Sequence, residues 1–142
     1  MTTTNSGLIG FEHVGMTCAE IERTLDFYVG VLGLRLVMRK PQKSGEVAFL
    51  DAGGGMLEIG FPADGAAPAH DVPNGVSGLR HITLAYENID TVLERIEAAG
   101  AEIIERPRAA YNSEVLARVA FCRDPDGNIV ELAERAPGWA SL

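Results

Sequence analysis

The chain is a tandem copy of itself. Setting His13 against His81, an offset of 68 residues, lays His13-Val14-Gly15-Met16 over His81-Ile82-Thr83-Leu84, Ile21 over Ile89 and Leu25 over Leu93. Dropping one residue from the second copy brings Leu36-Val37 opposite Ile103-Ile104. Inserting five near Ala109–Glu114 aligns Val47-Ala48-Phe49 with Val119-Ala120-Phe121. A last one-residue gap places Met56-Leu57-Glu58-Ile59 over Ile129-Val130-Glu131-Leu132. Matches in this order imply that each half is the same structural unit, which removes most folds from consideration. The expected division is a first module over residues 8–61, a linker over 62–77, a second module over 78–134 and a tail over 135–142. The linker is marked by its Pro, Ala, Gly and Asp content.

Each copy reads strand, helix, strand, strand, strand. Ile21, Leu25, Tyr28 and Leu32 recur at helical spacing, as do Ile89, Val92, Leu93 and Ile96. Thr17 and Glu20 have the spacing of a capping box for the first helix, and Gly33 stops it. Asn88 or Asp90 caps the second helix and Gly100 ends it. Gly53-Gly54-Gly55 and Asp124-Pro125-Asp126-Gly127-Asn128 have the composition of tight turns between the third and fourth strands of each copy. Helices on one face of a mostly antiparallel sheet make an α+β protein.

Strand parity then separates two kinds of residue. Side chains at i and i+2 share a face. Val14 and Met16, Leu57 and Ile59, Ile82 and Leu84, and Val130 and Leu132 form aliphatic faces suited to pack on the helices. His13, Glu58, His81 and Glu131 stand on the opposite faces, one His and one Glu at equivalent places in each half. Curling the halves about a pseudo-twofold axis would bring these four into one groove. Carboxylates gathered there need a counter-charge. A divalent cation supplies it, and two imidazoles with two carboxylates suit Zn²⁺, Ni²⁺, Co²⁺, Mn²⁺ or Fe²⁺.

Composition narrows the function classes. Twelve Lys and Arg against 20 Asp and Glu give a net charge of −8, which disfavours a nucleic-acid partner. No apolar run reaches the ~20 residues of a membrane span, and the opening Met1-Thr2-Thr3-Thr4-Asn5-Ser6-Gly7 has neither basic nor apolar leader character. Cys18 and Cys122 are too few for a disulfide scaffold and read as buried core thiols. The expectation is a cytoplasmic, globular protein with a small-molecule substrate. His70 reads as an exposed linker residue, and the tail, with Trp139, as a surface-docked or frayed segment. Nucleophile-elbow, phosphate-loop and dinucleotide motifs are absent.

At Phe27-Tyr28-Val29-Gly30-Val31-Leu32-Gly33-Leu34, Met56-Leu57-Glu58-Ile59, Gly78-Leu79-Arg80-His81-Ile82 and Asp124-Pro125-Asp126-Gly127-Asn128-Ile129-Val130-Glu131-Leu132 the sequence resembles the vicinal oxygen chelate superfamily. That superfamily contains glyoxalase I, bleomycin- and fosfomycin-resistance proteins, extradiol dioxygenases and methylmalonyl-CoA epimerase. The resemblance implies two tandem βαβββ modules forming a curved mixed sheet with helices on the outer face, a metal site on the concave side, and a homodimer. In the glyoxalase I pattern the ligands are His, Glu, His and Glu, and His13, Glu58, His81 and Glu131 fill all four places. It follows from the resemblance that the chain is a metal-dependent lyase or isomerase binding its substrate through vicinal oxygens. Glu131 is then the first choice as catalytic base, with Glu58 its symmetry mate. Glutathione-using members carry an Arg four residues after the first His and a glycine-rich loop before the seventh strand. Here those places hold Thr17 and Ala109-Ala110-Tyr111-Asn112-Ser113-Glu114.

The alternatives are a non-haem Fe(II) extradiol dioxygenase, a non-catalytic drug-binding protein of the bleomycin-resistance type, and an acyl-CoA epimerase. In the epimerase, Arg35, Arg39, Arg80 or Arg108 would meet phosphates. The residues leave open which metal is held, and whether the site closes within a chain or across a dimer.

Overall fold

A computed structural model describes residues 6–139. The segment from Met1 to Asn5, most of the stretch read above as lacking leader character, lies outside the described residues, as does the end of the tail, 140–142. Strands His13–Thr17 (β1), Arg35–Gln42 (β2), Gly45–Asp51 (β3) and Met56–Pro62 (β4) form one sheet in the order β1-β4-β3-β2. Strands Ile82–Ala85 (β5), Ile103–Ala109 (β6), Leu116–Arg123 (β7) and Ile129–Arg135 (β8) form another in the order β5-β8-β7-β6. In each, the first strand runs parallel to the last and the other pairs are antiparallel. The sequence repeat is thus a repeat of topology, carried by two separate mixed sheets rather than one.

The aliphatic faces pack as parity requires. Leu50, Leu57 and Ile59 from the first sheet and Ala120, Cys122, Val130 and Leu132 from the second join one buried cluster with residues of the helices. Helix Ile89–Ala98 (α2) contributes Ile89, Val92, Leu93 and Ile96, all buried. Each aliphatic side chain so buried is worth about 1.5–3 kcal/mol. Asn88 caps α2 by accepting the Asp90 N–H at 2.9 Å, and Gly100, at φ 73°, follows it in the left-handed conformation that glycine adopts without strain.

The first helix departs from expectation at both ends. Helix Ile21–Leu25 (α1) has Glu20 at its N-cap with no side-chain capping bond. Thr17 is the last residue of β1, so it is not available for the capping box its spacing suggests. Asp126 of the other module instead braces this stretch: its carboxylate accepts the Ala19 N–H, just ahead of the helix, at 2.9 Å and the Thr24 hydroxyl at 3.4 Å. Beyond Leu25 the chain winds wider, as a π-helical segment over Asp26–Val31, with the Leu32 N–H donating to the Phe27 carbonyl. This winding carries Tyr28 and Leu32 fully into the core.

Cross-module bonds continue beyond Asp126. The Tyr28 hydroxyl donates to Asp124 at 2.8 Å, the Tyr86 hydroxyl to the Leu32 carbonyl at 2.6 Å, and Arg95 Nε to the Val31 carbonyl at 2.9 Å. These bonds join the two modules on their helix sides. Cys18 and Cys122 are both buried and free. His70 is exposed in the linker, and Trp139 ends a short 3₁₀ turn at the surface.

Candidate active site

The repeat reproduces one local arrangement twice. On the first sheet His13 stands at the start of β1, and its ring meets Phe49 edge to face, with centroids 5.7 Å apart. Phe49 is the register partner of Glu58 on β4, and Glu58 is in turn the partner of Gly15 on β1. On the second sheet His81 immediately precedes β5 and meets Phe121 edge to face at 5.6 Å. Phe121 is the register partner of Glu131 on β8, and Glu131 is the partner of Thr83 on β5. Each half-site is therefore one imidazole, one carboxylate and one phenyl ring that steadies the imidazole.

The halves differ in how tightly the carboxylate is held. Glu131 is 9% exposed; one of its oxygens accepts the Thr83 hydroxyl at 2.7 Å and lies 3.2 Å from His81 Nε2. Glu58 has no such donor, because its register partner Gly15 has no side chain. His13 instead turns Nδ1 towards the exposed Glu12 at 3.4 Å. Arg108 borders the second half-site. It is held charged first by its bonds to Glu105, with Tyr111 and the Glu131 carboxylate adding to that stabilisation, and its guanidinium lies 4.2 Å over the Tyr111 ring. Arg35 and Arg39 are engaged with Asp51 and with Glu22 and Glu46.

Of the four residues singled out from sequence, His81 and Glu131 are in contact, whereas His13 and Glu58 are linked only through Phe49, which meets the His13 ring and is the register partner of Glu58. Among the described residues, no three His, Cys, Asp or Glu side chains gather closely enough to hold a metal ion. The donor chemistry nevertheless fits such an ion: each half offers an imidazole and a carboxylate, half of a four-ligand set. A groove of about 750 Å³ lies between the modules, with His81, Thr83 and Leu84 of the second on its wall together with Val14, Leu57 and the Gly53–Gly55 turn of the first. Another crevice, of about 480 Å³, sits on the helix side among Arg23, Asp26 and Arg123 and touches neither half-site. Parity alone did not single out Phe49, Phe121 or Thr83 as site residues. The signal was present in the repeat, which sets both Phe residues one strand from a Glu and pairs Thr83 with Gly15.

Residues 10–132 match the family described as the Glyoxalase/Bleomycin resistance protein/Dioxygenase superfamily. The chain belongs to that superfamily. Among relatives of this superfamily member is a probable lactoylglutathione lyase of Synechocystis, 26% identical over 86% of this chain and 92% of the relative. A lactoylglutathione lyase of Arabidopsis thaliana is 25% identical over 89% of this chain, which spans only 44% of that longer protein. Among solved structures, the glyoxalase family protein from Enterococcus faecalis superposes with a TM-score of 0.68 at 27% identity, covering 87% of this chain and 95% of the other. Fold and glyoxalase-superfamily function stand on these matches, and no helix among the described residues is long and apolar enough to cross a membrane.

Proposed function

We propose that the chain is a metal-dependent lyase or isomerase of the glyoxalase I type, with His13, Glu58, His81 and Glu131 as its ligand set. What carries the reading is the duplicated half-site: the same His–Phe contact, at 5.7 and 5.6 Å, beside a carboxylate on the last strand of each module. The modules are bonded together on their helix sides, and His13 and His81 are exposed and so open to contact with another molecule. We infer a homodimer in which the His13–Glu58 half of one copy faces the His81–Glu131 half of the next. Edge strands β1 and β5, each paired on one side only, are the natural places for such contact.

A divalent ion bound there would neutralise the two carboxylates and polarise a substrate carbonyl. The chain's own work is proton transfer. A carboxylate, Glu131 or Glu58, takes the proton from a carbon next to the carbonyl. The C–H bonding pair becomes the C=C bond of an enediolate, and the carbonyl π pair moves to oxygen. The same carboxylate returns the proton to the former carbonyl carbon, while the hydroxyl proton of the first carbon passes to the second oxygen, so the product is an isomer of the substrate. The imidazoles position, and the phenyl rings exclude water from one side of each. The substrate class is a small molecule with oxygens on adjacent carbons.

The test begins with elemental analysis of the purified protein and its mass in solution, followed by turnover of a 2-oxoaldehyde hemithioacetal, a catechol and an acyl-CoA ester. About one divalent ion per chain, twice the 15.2 kDa chain mass and hemithioacetal turnover support the reading. Ring cleavage of the catechol restored by Fe²⁺ with a reductant would replace it with the dioxygenase. A protein that holds no metal and turns over nothing would be a binding protein.

A further inference from the structure

The crevice on the helix side takes its walls from both modules. The first supplies Arg23, Asp26, Phe27 and Val31; the second supplies the stretch from Ala99 to Glu102 after α2 and part of the β7–β8 turn. It opens where the first module leaves α-helical winding for the π-helical segment Asp26–Val31, a winding that recurs at functional sites. Its floor is apolar, with Phe27 buried and Val31, Ala101 and Pro125 half-buried. At about 480 Å³ it lies within the ~300–1,000 Å³ of small-molecule sites.

The charges around that floor are unbalanced. Arg123 is fully engaged: Nε meets Glu102 at 2.8 Å, and the other nitrogens meet the two Asp71 oxygens at 2.8 and 2.9 Å and the Gly127 carbonyl at 2.8 Å. Two carboxylates on one guanidinium leave a negative remainder. Arg23 leans towards Glu20, 4.0 Å away. Asp26 is exposed, and among the described residues no donor meets its carboxylate. The end of α2 adds the partial negative charge of a helix C-terminus. Arg95, the basic residue of its last turn, is drawn off to the Val31 carbonyl.

We propose that this crevice is a second ligand site, taking a small organic cation: an ammonium group carried on an apolar body. The ammonium meets Asp26 and the end of α2, while the body covers Val31, Ala101 and Pro125. The same charges repel an anion of equal shape, and an uncharged molecule leaves Asp26 unmatched. Because the two walls belong to different modules, an occupant braces their docking. The crevice touches neither His81 nor Glu131, so the site stands independently of the metal reading.

The test uses the full chain and three molecules of nearly one shape: phenethylamine, phenethyl alcohol and hydrocinnamate. Isothermal titration near neutral pH should show phenethylamine binding roughly 5-fold more tightly than the alcohol, as a well-placed exposed charge pair gives, and hydrocinnamate not saturating. Raising the salt should weaken the amine and leave the alcohol unchanged. Backbone amide NMR shifts should gather at Gly100, Ala101 and Gly127. Asp26→Asn removes the charge without breaking a bond, and should erase most of the preference for the amine. Ala99→Trp, at an exposed position, fills the crevice and should abolish binding while the urea midpoint stays in place.

Equal binding of the amine and hydrocinnamate overturns the proposal, as does an Asp26→Asn variant that keeps the full preference for the amine. Shifts that gather instead in the groove lined by His81 and the Gly53–Gly55 turn overturn it as well. So does amine binding that fails to saturate at tens of millimolar. If Ala99→Trp proves unstable, Asp26→Asn alone still decides.

Discussion

The Tyr28 hydroxyl of the first module donates to the Asp124 carboxylate of the second across 2.8 Å, and both groups are buried. Asp124 accepts three more bonds, from the Asp126 and Asn128 N–H groups and from Asn128 Nδ2. The turn that closes β7–β8 is therefore also the socket for the first helix. Tyr28→Phe leaves Asp124 with its other three donors and is expected to cost about 1–2 kcal/mol. Asp124→Ala strands several buried donors together, each worth about 1–3 kcal/mol when left unpaired, and should cost clearly more. Urea midpoints of the two variants check the order.

Asp126 should show the same coupling on a smaller scale. Its carboxylate holds the Ala19 N–H and the Thr24 hydroxyl at the first helix, so Asp126→Ala is expected to cost about 1–2 kcal/mol, in the range of buried donors left unpaired. Thr17→Ala should change stability by less than about 0.5 kcal/mol, as a substitution at an exposed strand end away from such features does. A Thr17→Ala cost equal to that of Asp126→Ala would mean that Asp126 does not brace the start of α1.

Alkaline stability follows from the buried phenols. Burial pushes the Tyr86 hydroxyl up to about 12, with Arg95 nearby pulling the other way. Burial, and then the charge of Asp124, also raise Tyr28 well above its ordinary value. A group whose folded value is raised holds its proton more tightly when folded. Its contribution is therefore complete below pH ~10, the unfolded phenol value, and is lost as pH climbs towards 12. Urea midpoints at pH 8 and pH 11 should fall on going alkaline, and the fall should be smaller in Tyr86→Phe.

The thiols should be silent in the native state. Burial is the first cause of the raised values of both Cys18 and Cys122, and Cys122 is pushed up to about 12. Thiolate is the reactive form, so a chromogenic disulfide reagent near neutral pH is expected to count no thiols in native protein and two after unfolding. Rapid native reaction of Cys18 would mean that the start of α1 opens readily.

Metal should report as stability. Dialysis against a chelator is expected to lower Tm, and returning Zn²⁺ at about 100 times its dissociation constant to raise it by roughly 5 °C or more, since binding to the folded state alone stabilises it. His81→Ala should lose most of that gain. An identical shift in His81→Ala would move the metal elsewhere.

Much of this arrangement is legible in the sequence. The repeat register places Phe49 and Phe121, Glu58 and Glu131, and Gly15 and Thr83 in equivalent settings, and parity sends Leu57, Ile59, Val130 and Leu132 inward. Two things were not legible, for a common reason. The bonds from Asp126 to the start of α1 and the separation of the candidate ligands both depend on how one module docks on the other. Docking is decided by long-range contacts such as Asp126 to Ala19 and Tyr86 to Leu32. Local spacing is blind to these. The Thr17–Glu20 pattern looks like a cap until β1 is seen to run through Thr17.

The exchange of bonds makes each half dependent on the other. Groups of the first helical region are bonded by Asp126 just ahead of its start and by Tyr86 and Arg95 at its finish, none of them in its own half. A half on its own would leave those groups to water. Cut within the linker and produced as two fragments, the chain should therefore give two poorly structured pieces that recover a fold when mixed.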